Sequence, residues 1–268
     1  MTENKYIFLT HGGAGSKEEY QDGTLQAAKV GLKVLKSGAT LMDSVCRAVA
    51  VLEDDFRFNA GVGSHPRSDG SVQMDAAVMD GQGQFGAVAA LEGFRNPIHV
   101  AHAVTRTQYK VLVDRGAAQF AKKAGFETLS ADQITARGVD FSTGEEVTDT
   151  VGCVAYDGKS FAAGLSTGGI RGAAPGRVGD VPLIGCGLYA GPAGAVAATG
   201  DGEIITMHLT AIRAYQMLER GDRPEMVLEE VLHWFHPVND AIGLILVSDD
   251  GYAAGSNRTM AWSVLEEN

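Results

Sequence analysis

Apolar positions change their period several times along the chain, and each change marks an element. Tyr6–His11 is a short, nearly continuous apolar run, the pattern of a buried strand, and it ends in the glycine turn His11-Gly12-Gly13-Ala14-Gly15. Leu25, Ala28, Leu32 and Leu35 then recur at helical spacing and stop at Gly38. Leu41, Val45, Ala48, Val49 and Leu52 repeat that pattern in a second helix. Residues 71–79 and 84–91 read as strands joined by the hairpin signal Asp80-Gly81-Gln82-Gly83. Pro97, favoured at a first helical position, opens a third helix with Ile98, Ala101 and Val104 on one side. A fourth helix is predicted over residues 111–124.

From about residue 127 to 149 the periodicity fades into a polar stretch, the composition of a solvated linker. Strand patterns resume at 150–157, 159–166, 194–199 and 203–208. Two helices, Thr210–Glu219 and Pro224–Phe235, precede strands at 241–247, 252–255 and 259–264. Paired helices between antiparallel strand pairs predict an α/β fold of two stacked sheets between helix layers, not a doubly wound parallel sheet. The linker would divide one domain, residues 1–268, into two co-folded halves.

Composition adds bounds. With 45% hydrophobic and 21% charged residues, the chain has the make-up of a globular protein with ample core. Glycine is abundant, 35 of 268 residues or about 13%, against an average of about 7%, which points to many tight turns and close backbone approaches. A net charge of −11 argues against nucleic acid or an anionic membrane as partner. It leaves room for an acidic small molecule, because one arginine in a pocket outweighs the global field locally. Cys46, Cys153 and Cys186 are widely spaced, lack any CxxC and sit in apolar neighbourhoods, so buried free thiols are expected. The first apolar run is too short for a signal peptide, and no apolar stretch reaches about 18 residues, so the expected compartment is the cytoplasm.

Thr150 carries the chemistry. It stands in Thr148-Asp149-Thr150-Val151-Gly152, after the polar stretch and at the head of an apolar run. A threonine hydroxyl is a weak nucleophile at neutral pH, because almost none of it is ionised. Its own α-amine, with a pKa of roughly 7.7–8.0, would accept the proton near pH 7. Thr150 has that amine only once the Asp149–Thr150 bond is cut, so the chain reads as a self-cleaving hydrolase.

Other segments are each ambiguous alone. The glycines from His11 to Gly15 let backbone approach a reacting centre or form a plain tight turn, and no GxxxxGK[ST] supports a phosphate nest. Asn59, before Ala60-Gly61, is an amide donor for an oxyanion or a helix-end asparagine. Arg177 and Asp180, three apart on a glycine-containing loop, suit the carboxylate and ammonium of an amino acid, or pair with each other. Thr199 and Gly200 end an apolar run and offer a hydroxyl and an amide to an oxyanion, or form a capped turn. Thr167, in Ser166-Thr167-Gly168-Gly169, orients the Thr150 hydroxyl or closes a strand-end turn. The seven histidines make no HxxxH or HxH pattern, and Glu230 with His233 gives a single ExxH, so no transition-metal site is expected.

Order and spacing decide what single motifs leave open. His11-Gly12-Gly13-Ala14-Gly15, Phe58-Asn59-Ala60-Gly61, Asp149-Thr150-Val151-Gly152, Ser166-Thr167-Gly168-Gly169, Gly176-Arg177-Val178-Gly179-Asp180 and Thr199-Gly200-Asp201-Gly202 run through nearly the whole chain. Together they resemble the plant-type asparaginase / isoaspartyl peptidase family and its relative glycosylasparaginase, which are N-terminal-nucleophile hydrolases. The resemblance implies a four-layer αββα sandwich of two antiparallel sheets. It further implies cleavage before Thr150 into an α subunit (1–149) and a β subunit (150–268), no cofactor for catalysis, and a homo-oligomer built as a dimer of αβ units.

By the same resemblance Thr150 is the nucleophile, supported by Thr167 and Thr199. Gly200 and Asn59 serve the oxyanion or the attacking water, while Arg177, Asp180 and the Gly202 carbonyl grip the substrate's amino-acid end. A structural sodium is implied on backbone carbonyls of Leu52, Glu53, Asp55, Phe58, Ala60 and Val62; every residue type has a carbonyl, so these side chains neither support nor oppose it. Thr148 stands where family members often have histidine, and Asp149 replaces the glycine usual in asparaginases, whereas Gly169 looks like the asparaginase branch. The linker is also short for the family. These departures bear on cleavage rate and exact substrate, not on the reaction class. The expected activity is hydrolysis of L-asparagine or β-aspartyl (isoaspartyl) dipeptides. The alternatives are a glycosylasparaginase-like hydrolase of glycan-linked asparagine, or an uncleaved, inactive homologue that binds an amino acid through Arg177 and Asp180.

Overall fold

The computed structural model describes residues 5–130, 133, 150–235 and 240–267. The expectations for Thr148 and Asp149, and for most of the 127–149 linker, lie outside the described residues. β1 (Tyr6–His11) leads into α1 (Gln21–Lys36) and α2 (Leu41–Glu53). A capping box starts α2: Thr40 Oγ1 accepts from the Asp43 amide at 3.1 Å, and the Asp43 carboxylate reaches back to the Thr40 amide at 3.4 Å. β2 (Met74–Asp80) and β3 (Phe85–Leu91) form the expected hairpin, its turn closed by Asp80 Oδ1, which accepts from the amides of Gln82 and Gln84. α3 (Pro97–Val104), β4 (Val111–Val113) and α4 (Asp114–Lys123) complete the first half. The second half runs through β5 (Thr150–Tyr156), β6 (Phe161–Thr167), β7 (Leu188–Gly191), β8 (Gly194–Gly200), α5 (Gly202–His208), α6 (Thr210–Glu219), α7 (Pro224–Phe235), β9 (Ile242–Ser248), β10 (Gly251–Ser256) and β11 (Trp262–Glu267).

The strands make a seven-stranded sheet, β11-β1-β5-β6-β2-β3-β4, and a four-stranded sheet, β10-β9-β8-β7. Side chains on successive strand residues point to opposite faces, and both faces of the large sheet are buried. Phe8 of β1 therefore packs with Val45 and Val49 of α2 in a helix-covered core, while its neighbours Ile7 and Leu9 face Leu188, Ile245 and Val247 of the small sheet. That is why these strands read as continuous apolar runs rather than alternating ones. On the far side of the small sheet, Val196, Leu244 and Leu246 pack against Ala214 of α6 and Val231 of α7. The layers are thus helix, sheet, sheet, helix.

Two local expectations are corrected and one strand is added. Residues 203–208, with their Ile204-Ile205 pair, lie in helix α5 rather than a strand: Asp201 caps the turn, its Oδ1 accepting from the Ile204 amide at 3.3 Å. Residues 111–113 are strand β4, which pairs in parallel with β3, so the large sheet is not wholly antiparallel and α4 starts only at Asp114. β7 went unforeseen because Gly185, Gly187 and Gly191 break up its apolar pattern. Cys46, Cys153 and Cys186 are buried and unpaired. Among the described residues no helix is long and apolar enough to cross a membrane.

Candidate active site

Strand register brings the singled-out threonines to one end of the sandwich. Thr150 is the first residue of β5 and stands opposite Thr167, the last of β6. In the facing sheet, Thr199 and Gly200 end β8. Thr150, Thr167, Asn59, Arg177, Asp180, Gly200 and Gly202 line one pocket, joined by Gly169 and Gly179, which the sequence motifs contained but did not single out as wall residues, and by Ile170, one residue beyond a motif. Thr199 is the exception. It is fully buried and outside that lining, and its Oγ1 accepts from the Ala14 amide at 3.1 Å, tying the His11–Gly15 turn to β8. Because the hydroxyl is the acceptor there, its proton stays available to donate.

The loops between the strands are fastened by side-chain amides and hydroxyls. Asn59 Nδ2 donates to the Gly169 carbonyl at 2.7 Å and its Oδ1 accepts from the His65 amide at 3.0 Å. An amide nitrogen carries two protons, so one remains for a group in the pocket. The Gly169 amide donates to Thr167 Oγ1 at 3.0 Å, which leaves the Thr167 proton free to point elsewhere. Gly200 adopts φ +138°, and a Cβ there would fall 2.0 Å from the Ala241 carbonyl oxygen, so only glycine presents its backbone at this point.

A cationic and an acidic side chain line the same pocket. Asp180 is buried, and its Oδ2 has no hydrogen-bond partner among the described residues. Burial pushes its pKa up to about 7, against the pull of the Arg177 guanidinium. An ammonium group placed there would satisfy Oδ2 and hold the carboxyl ionised. Arg177 is not bonded to Asp180: its Nε and Nη2 donate to Glu203 Oε1 and Oε2 at 2.9 and 2.6 Å. A guanidinium and a buried carboxyl in one pocket have the chemistry to take a carboxylate and an ammonium side by side.

Several supporting residues escaped sequence reasoning. Asp75 of β2 sits across from Thr167, and burial lifts its pKa to about 6 while the Arg67 guanidinium opposes the rise. The His11 ring lies over β5, where a Cβ on Gly152 would meet its Nε2 at 2.3 Å, and burial drives its pKa down to about 3, so it is neutral. Both depend on cross-strand register, which no local pattern encodes. Glu203 was hidden by its placement in a strand.

Comparison with known proteins agrees with the geometry. A family model described as asparaginase matches residues 4–138 and 130–268. The isoaspartyl peptidase/L-asparaginase of Macaca fascicularis is 36% identical over 290 residues, covering 98% of this chain and 94% of the relative. The human protein of the same name is 35% identical with the same coverage. The plant-type L-asparaginase of Pyrococcus furiosus is 35% identical over 296 residues, covering 97% of this chain and 96% of its own. With that coverage, and with the motif residues gathered at one end of an αββα sandwich, the chain belongs to the asparaginase family.

Proposed function

We propose that this protein is a threonine amidohydrolase that cleaves itself before Thr150 and then hydrolyses L-asparagine and β-aspartyl dipeptides to release L-aspartate. One observation carries the reading: a strand-leading threonine shares its pocket with Arg177 and Asp180, a pair suited to an amino-acid head. Relatives named isoaspartyl peptidase/L-asparaginase and plant-type L-asparaginase support the substrate class.

In the precursor, Thr150 Oγ1 attacks the Asp149 carbonyl carbon. The C–N bond breaks, leaving an ester and a free amine, and water opens the ester to a carboxylate and the restored hydroxyl. In the mature enzyme the Thr150 α-amine takes the hydroxyl proton as Oγ1 attacks the substrate's side-chain carbonyl. Arg177 and Asp180 hold the α-carboxylate and α-ammonium, with the Gly202 carbonyl beside the latter. The oxyanion rests on the Gly200 amide and the Thr199 hydroxyl. The amine passes its proton to the departing nitrogen, ammonia or an amino acid leaves, and water releases aspartate. Asn59, with one amide proton to spare, serves the oxyanion or that water. Mass spectrometry of purified protein should find fragments beginning at Met1 or Thr2 and at Thr150, alongside aspartate release. One intact mass after long incubation and no aspartate would sink the reading.

We also propose a structural sodium on the loop after α2. The carbonyls of Leu52, Asp55, Phe58 and Ala60 accept from the amides of Asp55, Phe58, Ala60 and Gly63, and each keeps a second lone pair. A Cβ at Gly61 would lie 2.2 Å from the Glu53 carbonyl oxygen, and one at Gly63 2.0 Å from that of Phe58, so the loop winds tightly around its own oxygens. An all-oxygen donor set, with Val62 completing it, suits a hard cation. The ion would brace the loop that carries Asn59. A dimer of αβ units is the proposed assembly.

A further inference from the structure

We propose that Glu203 is a positioning residue for substrate binding: it holds the Arg177 guanidinium so that its remaining edge meets the substrate's α-carboxylate. This rests on reading the pocket as an amino-acid site. A guanidinium carries five N–H donors. Glu203 takes the one on Nε at 2.9 Å and one on Nη2 at 2.6 Å, leaving the edge shared by Nη1 and Nη2 for a second carboxylate. The space around the group excludes neighbouring side chains. A Cβ at Gly179 would stand 3.0 Å from Nη1, and one at Gly202 would stand 2.8 Å from Nη2 and 2.9 Å from Asp180 Oδ1. Both glycines line the pocket with Arg177. The plane of the guanidinium is therefore set by the Glu203 fork, and two side-chain-free residues leave room for it there.

Exposure says which partner serves which. Arg177 is 16% exposed and Glu203 57%, so Glu203 reaches in from solvent to a charge that is largely withdrawn from it. A single-point contact so placed would contribute little, but a two-point fork fixes geometry as well as charge. The Arg177 guanidinium holds the Glu203 carboxyl below its usual range, which keeps the fork charged through neutral pH. Without Glu203, a long, rotamer-rich side chain would have to be ordered at each binding event, and affinity falls by that amount. The bond-making steps at Thr150 do not involve Glu203, so the effect belongs in KM rather than kcat.

The test is a double-mutant cycle on the self-cleaved enzyme. Glu203→Ala should raise KM for L-asparagine about tenfold and leave kcat within about twofold, a coupling of ordinary size for a bonded charge pair. Cleavage at Thr150 should be unchanged, and Glu203→Gln, which keeps an acceptor oxygen, should recover part of the loss. In an Arg177→Ala background, Glu203→Ala should change kcat/KM no further. An unaltered KM in Glu203→Ala, or the full loss repeated without Arg177, overturns the inference. A second readout does not need turnover: the Arg177 Nε–H resonance, assigned by its absence in Arg177→Ala, should exchange slowly with solvent and speed up in Glu203→Ala. If the parent enzyme hydrolyses neither substrate the proposed function fails, and a resonance indifferent to Glu203 then overturns the positioning role separately.

Discussion

Thr150 and Thr167 stand opposite each other across the antiparallel β5–β6 pair, at the open end of both strands. Thr167 Oγ1 is already an acceptor from the Gly169 amide, so the proton it has left is the natural partner for the Thr150 hydroxyl. Thr167→Ala should slow both self-cleavage and asparagine turnover by about 10²-fold, the usual cost of a misplaced reacting group. Thr150→Ala should abolish both, whereas Thr150→Ser, which keeps a hydroxyl, should retain them at reduced rate. Intact-mass time courses and ammonia release measure the two steps, and parental rates in Thr167→Ala would refute the orienting role.

Asp180 predicts the acid side of the pH profile. Burial raises its pKa to about 7, and only the ionised form attracts the substrate's ammonium. As pH falls through 7 the carboxylate takes up a proton, so kcat/KM should drop about tenfold per unit on that side. Because bound ammonium holds the carboxyl ionised, Asp180 leaves kcat unaffected, and the acid limb of kcat belongs to the Thr150 amine, which must be neutral to take the hydroxyl proton. Asp180→Asn should raise KM at every pH and reduce the acid limb of kcat/KM to the slope of that amine alone. A kcat/KM limb equally steep in Asp180→Asn and in the parent overturns this role of Asp180.

Most of the site was legible because it is built from strand ends. Glycine and threonine clusters at 11–15, 166–169 and 199–202 end apolar runs and that at 150–152 heads one. Strands β1, β5 and β6 of the large sheet bring 11–15, 150–152 and 166–169 to one edge, and β8 of the facing sheet brings 199–202. The pair Arg177 and Asp180 was visible as a spacing, although its alternative, a mutual salt bridge, gave way to Glu203 as the arginine's partner. What stayed hidden depends on tertiary contacts. Ile204-Ile205 looks like a strand locally, and it takes the Asp201 cap and the Gly200 turn to make it a helix. The placing of Asp75 beside Thr167, and of the His11 ring over Gly152, follows from register alone. β4 is a three-residue edge strand with Val111 and Val113 exposed, too short and too solvated to show a period.

Gly200 should tolerate no side chain. Its φ of +138° is unfavourable for any other residue, and a Cβ would meet the Ala241 carbonyl oxygen at 2.0 Å. The strain alone costs about 1–3 kcal/mol, and relief requires β8 and β9 to separate where the proposed oxyanion amide is presented. Gly200→Ala should therefore lower the unfolding midpoint and reduce kcat by more than the loss of folded protein explains. Circular dichroism melts and active-site titration separate the two contributions. A variant with parental kcat per folded molecule would show that the Gly200 amide is not an oxyanion donor.

Asp75 makes folding stability depend on pH in an identifiable window. Its pKa is about 6 in the folded chain, raised chiefly by burial and pulled back by the Ala90 amide and Arg67, against about 3.9 when unfolded. Between those values the folded state binds a proton that the unfolded state lacks, so this contribution to stability is present below about pH 4 and is lost as pH rises through 6. Asp75→Asn has no such proton to lose. The variant also leaves Arg67 without its nearby carboxylate, which lowers its stability in a way that does not vary with pH, so the diagnostic quantity is the slope. From pH 4 to pH 6.5 the parent's unfolding free energy should fall relative to that of Asp75→Asn, and above pH 7 the two curves should run parallel. Denaturant titrations across that range measure it. Curves that run parallel throughout would mean that Asp75 titrates alike in both states, and that Arg67 and the Ala90 amide fully offset its burial beneath Thr167.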